Sequence, residues 1–425
     1  MKKLFTKPTL SYLRFFAKKA LDKHQPTIIG IAGSVGKSST RNAIEAVLKD
    51  HFPTKSVGNS ETGIPLGILG MKPENYSKID WIKMVVRSPF NIDFLEDTKY
   101  LIAEMGIDEP DAPKNMTYLL TILKPDIAIS LNVSATHSLQ FDKTVKKEGL
   151  SEEERLKTVI GNIAKEDTKI ITASGCKVGI YNADDAVISP YIEKVQESQK
   201  LLTFGTKSMY DISYGKYDVS RKGTSFTFFI KHDDKHQELS LTFNHHIFPQ
   251  EYREVFSAAI LVGLQADLSP KQIKESIEKN YETPKGRSSI FEGINSSIII
   301  DATYNASKAS IVTFLDLVDT LKKETDHQVV FLMGDMRELG QESQIEHEEV
   351  AKKIIGIVDY LYLVGPLTRQ YFMKDNLTND SIVLAKGSQN TIFLEEAVKV
   401  ILKNKEDQKK LCRQDDFWMK IKSGS

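Results

Sequence analysis

Thr27 to Gly33 (TIIGIAG) is a run of β-branched apolar residues that closes on glycine, the pattern of a strand buried on both faces. The next apolar pattern has a different period. In SSTRNAIEAVLKD (38–50), Ala43, Ile44, Val47 and Leu48 fall on one helical face. KYLIAEMG (99–106) and DIAISLNVSATH (126–137) are strand-like again, and each ends in polar groups. From Ser225 to Ile230 the chain alternates, with Phe226, Phe228 and Ile230 on one face. After His232-Asp233-Asp234-Lys235, Leu239, Leu241 and Phe243 alternate in turn, so the two runs predict a hairpin with core aromatics. In the last third, SIII (297–300), QVVFLMG (328–334) and YLYLVG (360–365) read as strands separated by helical segments at 307–323 and 342–355. The predicted fold class is α/β. A central domain with a mostly parallel sheet and an antiparallel hairpin precedes a smaller Rossmann-like C-terminal domain.

The N-terminus has its own pattern. Residues 1–24 hold seven Lys or Arg and one Asp, while Leu13, Phe16, Ala17, Ala20 and Leu21 share a helical face. Lys7, Arg14, Lys18 and Lys19 interrupt the apolar stretch and no small-residue cleavage site follows, which argues against a signal peptide. Two readings stay open, a helix docked on the next domain and a helix resting on an anionic membrane surface. The predicted organisation is a basic amphipathic helix at 1–25, a central domain at 26–283 and a C-terminal domain at 284–425.

Composition narrows the function. The 425 residues carry 57 Lys+Arg and 57 Asp+Glu, so no global charge favours nucleic acid. Apolar residues at 40% and charged residues at 27% are globular values. No apolar run approaches the roughly 18 residues of a membrane span. Cys176 and Cys412 cannot build a disulfide framework or a four-cysteine zinc site, and a reducing cytoplasmic setting is expected.

The chemistry begins between the first strand and helix, at Gly33-Ser34-Val35-Gly36-Lys37-Ser38-Ser39. Glycines let backbone approach phosphates, and N–H groups of the loop and first helical turn point at the anion. Lys37 adds positive charge near the terminal phosphates, and the Ser38 hydroxyl is an oxygen ligand for Mg²⁺. The strict G-x-x-x-x-G-K-[ST] pattern would need glycine at 31, where the chain has Ile31. The tighter G-x-x-G-K-S core is intact, and it predicts a phosphate-binding P-loop over a glycine turn with an incidental lysine. In an open parallel sheet, ligands sit at the carboxyl ends of strands. Lys37, Ser38, Glu104 and His137 all follow strands, so they are expected to converge around ATP and Mg²⁺. Glu104 as a solvated strand-end carboxylate and His137 as a loop histidine are the plainer readings.

GSVGKSS resembles the P-loop of the Mur ligase superfamily, which makes amide bonds using ATP. Further segments resemble its signatures in order: GNSETGIPL (58–66), AEMG (103–106), NVSATH (132–137), NADD (182–185), Gly286-Arg287, DATYNA (301–306), MGDMRELG (333–340) followed by His347, and KGSQ (386–389). The last groups resemble the branch that adds D-alanyl-D-alanine to a UDP-muramyl peptide in cell-wall synthesis. The resemblance runs from about residue 26 to 400 and implies an acyl-phosphate mechanism with ATP and Mg²⁺. It implies that Arg287 is catalytic and, with Asp301, Tyr304 and Asn305, contacts nucleotide or acyl phosphate.

The resemblance also exposes departures. Where the family carries a carbamylated lysine supporting a second metal, alignment of GNIAKEDTKII (161–171) places Asp167, an unmodified carboxylate; Lys165 fits only if the register slips by two. The charged stretch 142–155 reads as an inserted loop or helix. No asparagine after His245-His246 matches the family's adenine contact. Only about 25 residues precede the P-loop strand, so the family's separate UDP-sugar domain is not expected. The UDP-muramyl peptide is then held by the remaining domains or by a partner protein, or the acid differs. The alternatives are a folylpolyglutamate- or cyanophycin-type ligase, and a nucleotide-binding scaffold that no longer ligates. The expected partners are small molecules, an acid and an amine, with residues 1–24 as the only membrane contact in prospect.

Overall fold

The computed structural model describes residues 2–73, 77–135, 138–145, 150–193, 199–232, 235–325, 327–337, 339, 343–365, 382–387 and 393–423. The chain forms two compact units. The first comprises Met1–Tyr214, Phe228–Leu239 and Glu254–Glu282, and the second Gly215–Thr227, Ser240–Arg253 and Thr283–Ser425.

The larger sheet is built from β1 (Thr27–Ala32), β2 (Thr54–Val57), β3 (Tyr100–Glu104), β4 (Ile127–Ser130), β5 (Val178–Asn182), β6 (Lys200–Gly205), β7 (Ile212–Ser220), β8 (Gly223–His232) and β9 (Lys235–Asn244). Its order is β2-β3-β1-β4-β5-β6-β7-β8-β9. The pairs from β2 to β7 are parallel. β8 and β9 are the expected hairpin, and Phe226, Phe228, Ile230, Leu239, Leu241 and Phe243 are all buried. β1 lies between β3 and β4, and its consecutive residues Ile28 and Ile29, then Ile31 and Ala32, are buried on both faces of the pleat, as an interior strand requires. Its neighbours place Glu104 opposite Ile31 and Ser130 opposite Ala32, so three strand ends finish at one edge.

Helix α1 (Lys2–His24) is docked by the face its spacing predicts: Leu13, Ala17 and Ala20 are fully buried. Among the described residues no helix is long and apolar enough to cross a membrane.

The second unit has a sheet of β10 (Ser289–Glu292), β11 (Ile298–Ala302), β12 (Val329–Gly334), β13 (Tyr360–Val364) and β14 (Ile382–Lys386), in the order β10-β11-β14-β12-β13. Only β10 is antiparallel to its neighbour. Helices Lys308–Thr325 and Ser343–Ile354 occupy the expected segments. The central strand β14 has every residue buried, Lys386 included.

Candidate functional site

The loop after β1 is shaped by two glycines and fastened by β4's continuation. Gly36 caps helix α2 (Lys37–Leu48) with φ +93°, a left-handed conformation that favours glycine. A Cβ on Gly33 would stand 3.0 Å from Leu131 Cβ, so the loop's approach to the next strand requires glycine. Ser34 N–H donates to Asn132 O at 2.8 Å, and Val35 N–H to Asn132 Oδ1 at 3.0 Å. The Asn132 amide donates back to Val35 O at 3.2 Å and to Glu254 Oε2 at 3.0 Å. Ser134 N–H closes the clasp on Ser34 Oγ at 3.0 Å. Behind it, Asp185 Oδ2 accepts from Val133 N–H at 3.0 Å, while its other oxygen caps the turn at Val187 and Ile188. The NADD segment is therefore a brace for the Asn132 loop.

No side chain caps α2 and its first turn holds no acid, so the positive end of the helix is left to an anion. Lys37 leads that turn, its ammonium donating to Gly33 O. One residue on, Ser38 Oγ donates to Glu104 Oε2 at 3.0 Å. Arg41, one turn further along the same helix face, holds Glu104 Oε1 at 2.6 Å. Arg41 was not singled out from the sequence. Helix spacing from Lys37 was the available signal, since i and i+4 share a face.

Asp167 ends the helix Glu152–Asp167 and is buried. It lines a small cavity with Gly33, Ser34, Lys37, Ile107, Phe141 and Ile163. Lys165 is exposed, so the aspartate faces the loop and the lysine does not. His137 and Thr136 lie outside the described residues, as do Glu338, Ser388 and Gln389. The oxygen donors of Ser38 and Glu104 suit Mg²⁺, which keeps waters and needs only one or two protein carboxylates. Among the described residues no three His, Cys, Asp or Glu side chains gather into a metal cluster, and a site completed by phosphate oxygens needs none.

The second unit groups the other expected residues around the end of β11. Gly286 O accepts from Tyr304 N–H at 3.1 Å, and the Arg287 guanidinium lies 4.4 Å over the Tyr304 ring. Asn305 is exposed. Asp301 is fully buried, because the following turn folds onto it: Oδ1 accepts from Thr303 N–H at 3.0 Å and from Thr303 Oγ1 at 2.6 Å. Oδ2 has no hydrogen-bond partner, and burial pushes the carboxyl up to about 6 against the pull of Thr303.

Lys386 is buried one residue along the paired strand, its Nζ donating to Asn305 O at 2.8 Å. Burial, and then the Arg287 cation, bring its ammonium down to about 7; the opposing pull of Asp301 is too small to reverse this. Between that value and the ordinary 10.5, the unfolded chain holds a proton that the folded chain has released. Stability from this group therefore rises with pH across that window, and the cost is complete below it. Relative to Lys386→Met, the wild type should gain about 1 kcal/mol per pH unit between roughly pH 7.5 and 9.5. Denaturation of both proteins at those two pH values tests this; a constant difference between them would sink it.

Residues 286–408 match the Mur ligase glutamate ligase domain. The second unit carries a Mur ligase domain. The match takes in the Arg287, Tyr304 and Lys386 cluster. The UDP-N-acetylmuramoyl-tripeptide–D-alanyl-D-alanine ligase of Rickettsia prowazekii is 26% identical over 362 residues, covering 84% of this chain and 70% of the relative. The enzyme of the same name from Bacillus subtilis is also 26% identical, over 87% of this chain and 71% of the relative. A MurF ligase from Thermotoga maritima, solved in complex with ADP, superposes with a TM-score of 0.70 at 18% identity. That superposition covers 98% of this chain and 85% of the other, so the likeness in fold extends through both units.

Proposed function

We propose that this protein is an ATP-dependent amide ligase that adds D-alanyl-D-alanine to a UDP-muramyl tripeptide in peptidoglycan synthesis. The observation that carries the reading is the fastened loop at 33–36, with Lys37, Ser38, Glu104 and Arg41 at the head of α2. Relatives named for this reaction support the choice of substrates.

The tripeptide carboxylate attacks the γ-phosphorus of ATP, ADP leaves, and an acyl phosphate forms. The dipeptide amine then attacks the acyl carbon, loses a proton and expels phosphate. The first step joins two anions, so positioning and charge neutralisation do most of the work. The amides opening α2 and the Lys37 ammonium hold the phosphates. Arg41 fixes the Glu104 carboxylate, leaving Oε2 beside Ser38 Oγ as a pair of oxygen donors. That pair would hold Mg²⁺, which would supply further positive charge to the phosphates. Asp167, on the cavity wall, is a third oxygen donor that needs no modification.

The experiment is phosphate release with Mg²⁺·ATP, UDP-N-acetylmuramoyl-tripeptide and D-alanyl-D-alanine, together and each omitted in turn. Release that requires all of them, with an amide product of the right mass, is expected. Release indifferent to the muramyl peptide would overturn the substrate assignment while leaving the nucleotide site standing. In the same assay, Asp167→Ala should raise the Mg²⁺ needed for half-maximal rate about 10-fold. An unchanged Mg²⁺ titration would remove Asp167 from the metal site.

A further inference from the structure

Helix α4 (Lys78–Arg87) is apolar on two opposite faces. On the inner face Met84 is buried with Leu13 of α1 and Leu66 of α3 (Gly63–Ile68), and Trp81 packs beside them. Asp80 and Ser88 are buried on the same side, and Ser77 caps the helix start through Asp80 N–H. The outer face carries Ile79, Ile82 and Val86, followed by Phe90; they are 67%, 63%, 60% and 81% exposed. These positions fall about three or four residues apart and form one continuous stripe along the solvent side. Single exposed apolar residues are ordinary on protein surfaces, but four in line at this exposure call for a partner.

The charges around the stripe say which partner. Lys78 lies on one flank, and Lys83 and Arg87 lie on the other. Asp80, the only acid in the helix, points inward and is buried. α1, which packs on α4, carries exposed Lys18 and Lys19, while its Lys23 is paired with Asp93. The chain as a whole is neutral, so this is a local concentration of positive charge. An apolar stripe edged by cations on a helix lying in the surface is the arrangement that seats on an anionic lipid interface. A second copy fits less well. A two-fold contact through the stripe would set Lys78, Lys83 and Arg87 against their own symmetry mates.

We propose that α4 docks this protein onto an anionic membrane surface, with Ile79, Ile82, Val86 and Phe90 entering the interface and Lys78, Lys83 and Arg87 meeting lipid phosphates. This concerns a face the sequence did not single out. The basic N-terminal helix was the membrane candidate there, yet the face its spacing predicts is buried within the first unit.

The test is co-sedimentation of the full chain with phosphatidylglycerol/phosphatidylcholine vesicles and with phosphatidylcholine vesicles alone. The wild type should bind the anionic vesicles at least 10-fold more tightly than the neutral ones and lose most binding in high salt. Ile82→Ser combined with Val86→Ser should weaken binding about 10-fold, and so should Lys83→Glu combined with Arg87→Glu. All four substituted positions are exposed, and unchanged thermal melting confirms that each variant is folded. Three results would overturn the proposal. One is no binding of the wild type to anionic vesicles. Another is full binding by the serine variant, with loss instead on changing Lys18 and Lys19 of α1. The third is concentration-dependent dimerisation of the wild type that the serine variant abolishes, without vesicle binding by either.

Discussion

Replacing Lys37 with alanine will lower phosphate release in the complete ligation assay by about 1,000-fold and leave the protein folded. Its ammonium is the side-chain cation at the head of α2, where the loop's glycines and the uncapped helix turn already converge on an anion. Removing one preorganised group that neutralises transition-state charge typically costs about 100- to 1,000-fold in rate. The upper end applies because two anions must meet in the first step. Folding is spared because alanine is a better helix former than lysine and the bond to Gly33 O is a local one. Lys37→Arg should not restore the rate, since a planar guanidinium cannot occupy the place of a compact ammonium beneath the same loop. Thermal melts alongside steady-state phosphate release separate the two effects. Turnover near the wild-type value in the alanine variant would remove the loop from the mechanism.

The second large effect concerns stability. Arg413 and Glu395 form a buried two-bond pair: Nε to Oε1 at 3.0 Å and Nη2 to Oε2 at 2.8 Å. Nη2 also donates to Thr303 O at 2.8 Å, which ties the pair to the turn over Asp301. Burial raises the Glu395 carboxyl, but Arg413, with Lys422 at 3.0 Å, outweighs it and holds the group below the usual range. The folded carboxylate is thus favoured, and its contribution is present above pH 4.5 and fades as pH falls through its lower folded value. Glu395→Leu strands the Arg413 guanidinium, while Lys422 keeps Glu396 at 2.5 Å, and should cost about 4 kcal/mol. Arg413→Met leaves Lys422 as a counter-ion and should cost less, about 3 kcal/mol. The double variant Arg413→Met/Glu395→Leu should lose less than the sum of the two, because an apolar pair strands no charge. Denaturant unfolding of all four proteins gives the coupling directly. Additive losses would show that the two residues act separately.

The parts of this protein legible in its sequence are those governed by local period and local spacing. Strand β1, the glycines at 33 and 36, and the hairpin of Phe226 to Phe243 announce themselves within a few residues. Strand β14 did not, although it is central to its sheet, because a five-residue apolar run is too short for its period to tell a strand from a buried helical turn. Helix α4 keeps a helical period; what its sequence does not tell is that Ile79, Ile82 and Val86 face solvent, which depends on how Met84 and Trp81 pack against Leu13 and Leu66. At the site, Lys37 and Ser38 were readable from their spacing, whereas the role of Arg41 depends on Glu104, 63 residues distant. Only the β1–β3 register, Ile31 opposite Glu104, brings that carboxylate to the helix. Arg413 and Glu395 are invisible for the same reason, and so is the brace from Asp185 to Val133.

The way the units interleave along the chain has a consequence for synthesis. Residues 215–227 and 240–253 are translated inside the first unit's span, yet they belong to the second. Val219 and Ile247 bury themselves with Ile300, Leu315 and Phe331, all of which emerge from the ribosome later. A nascent chain that has reached Glu282 therefore carries apolar strand residues with nothing to cover them. That is the species most prone to aggregate and most in need of a chaperone. A protein truncated there retains the whole phosphate loop and keeps that exposed surface permanently, so the loop-bearing half cannot be obtained as a clean fragment by a single cut.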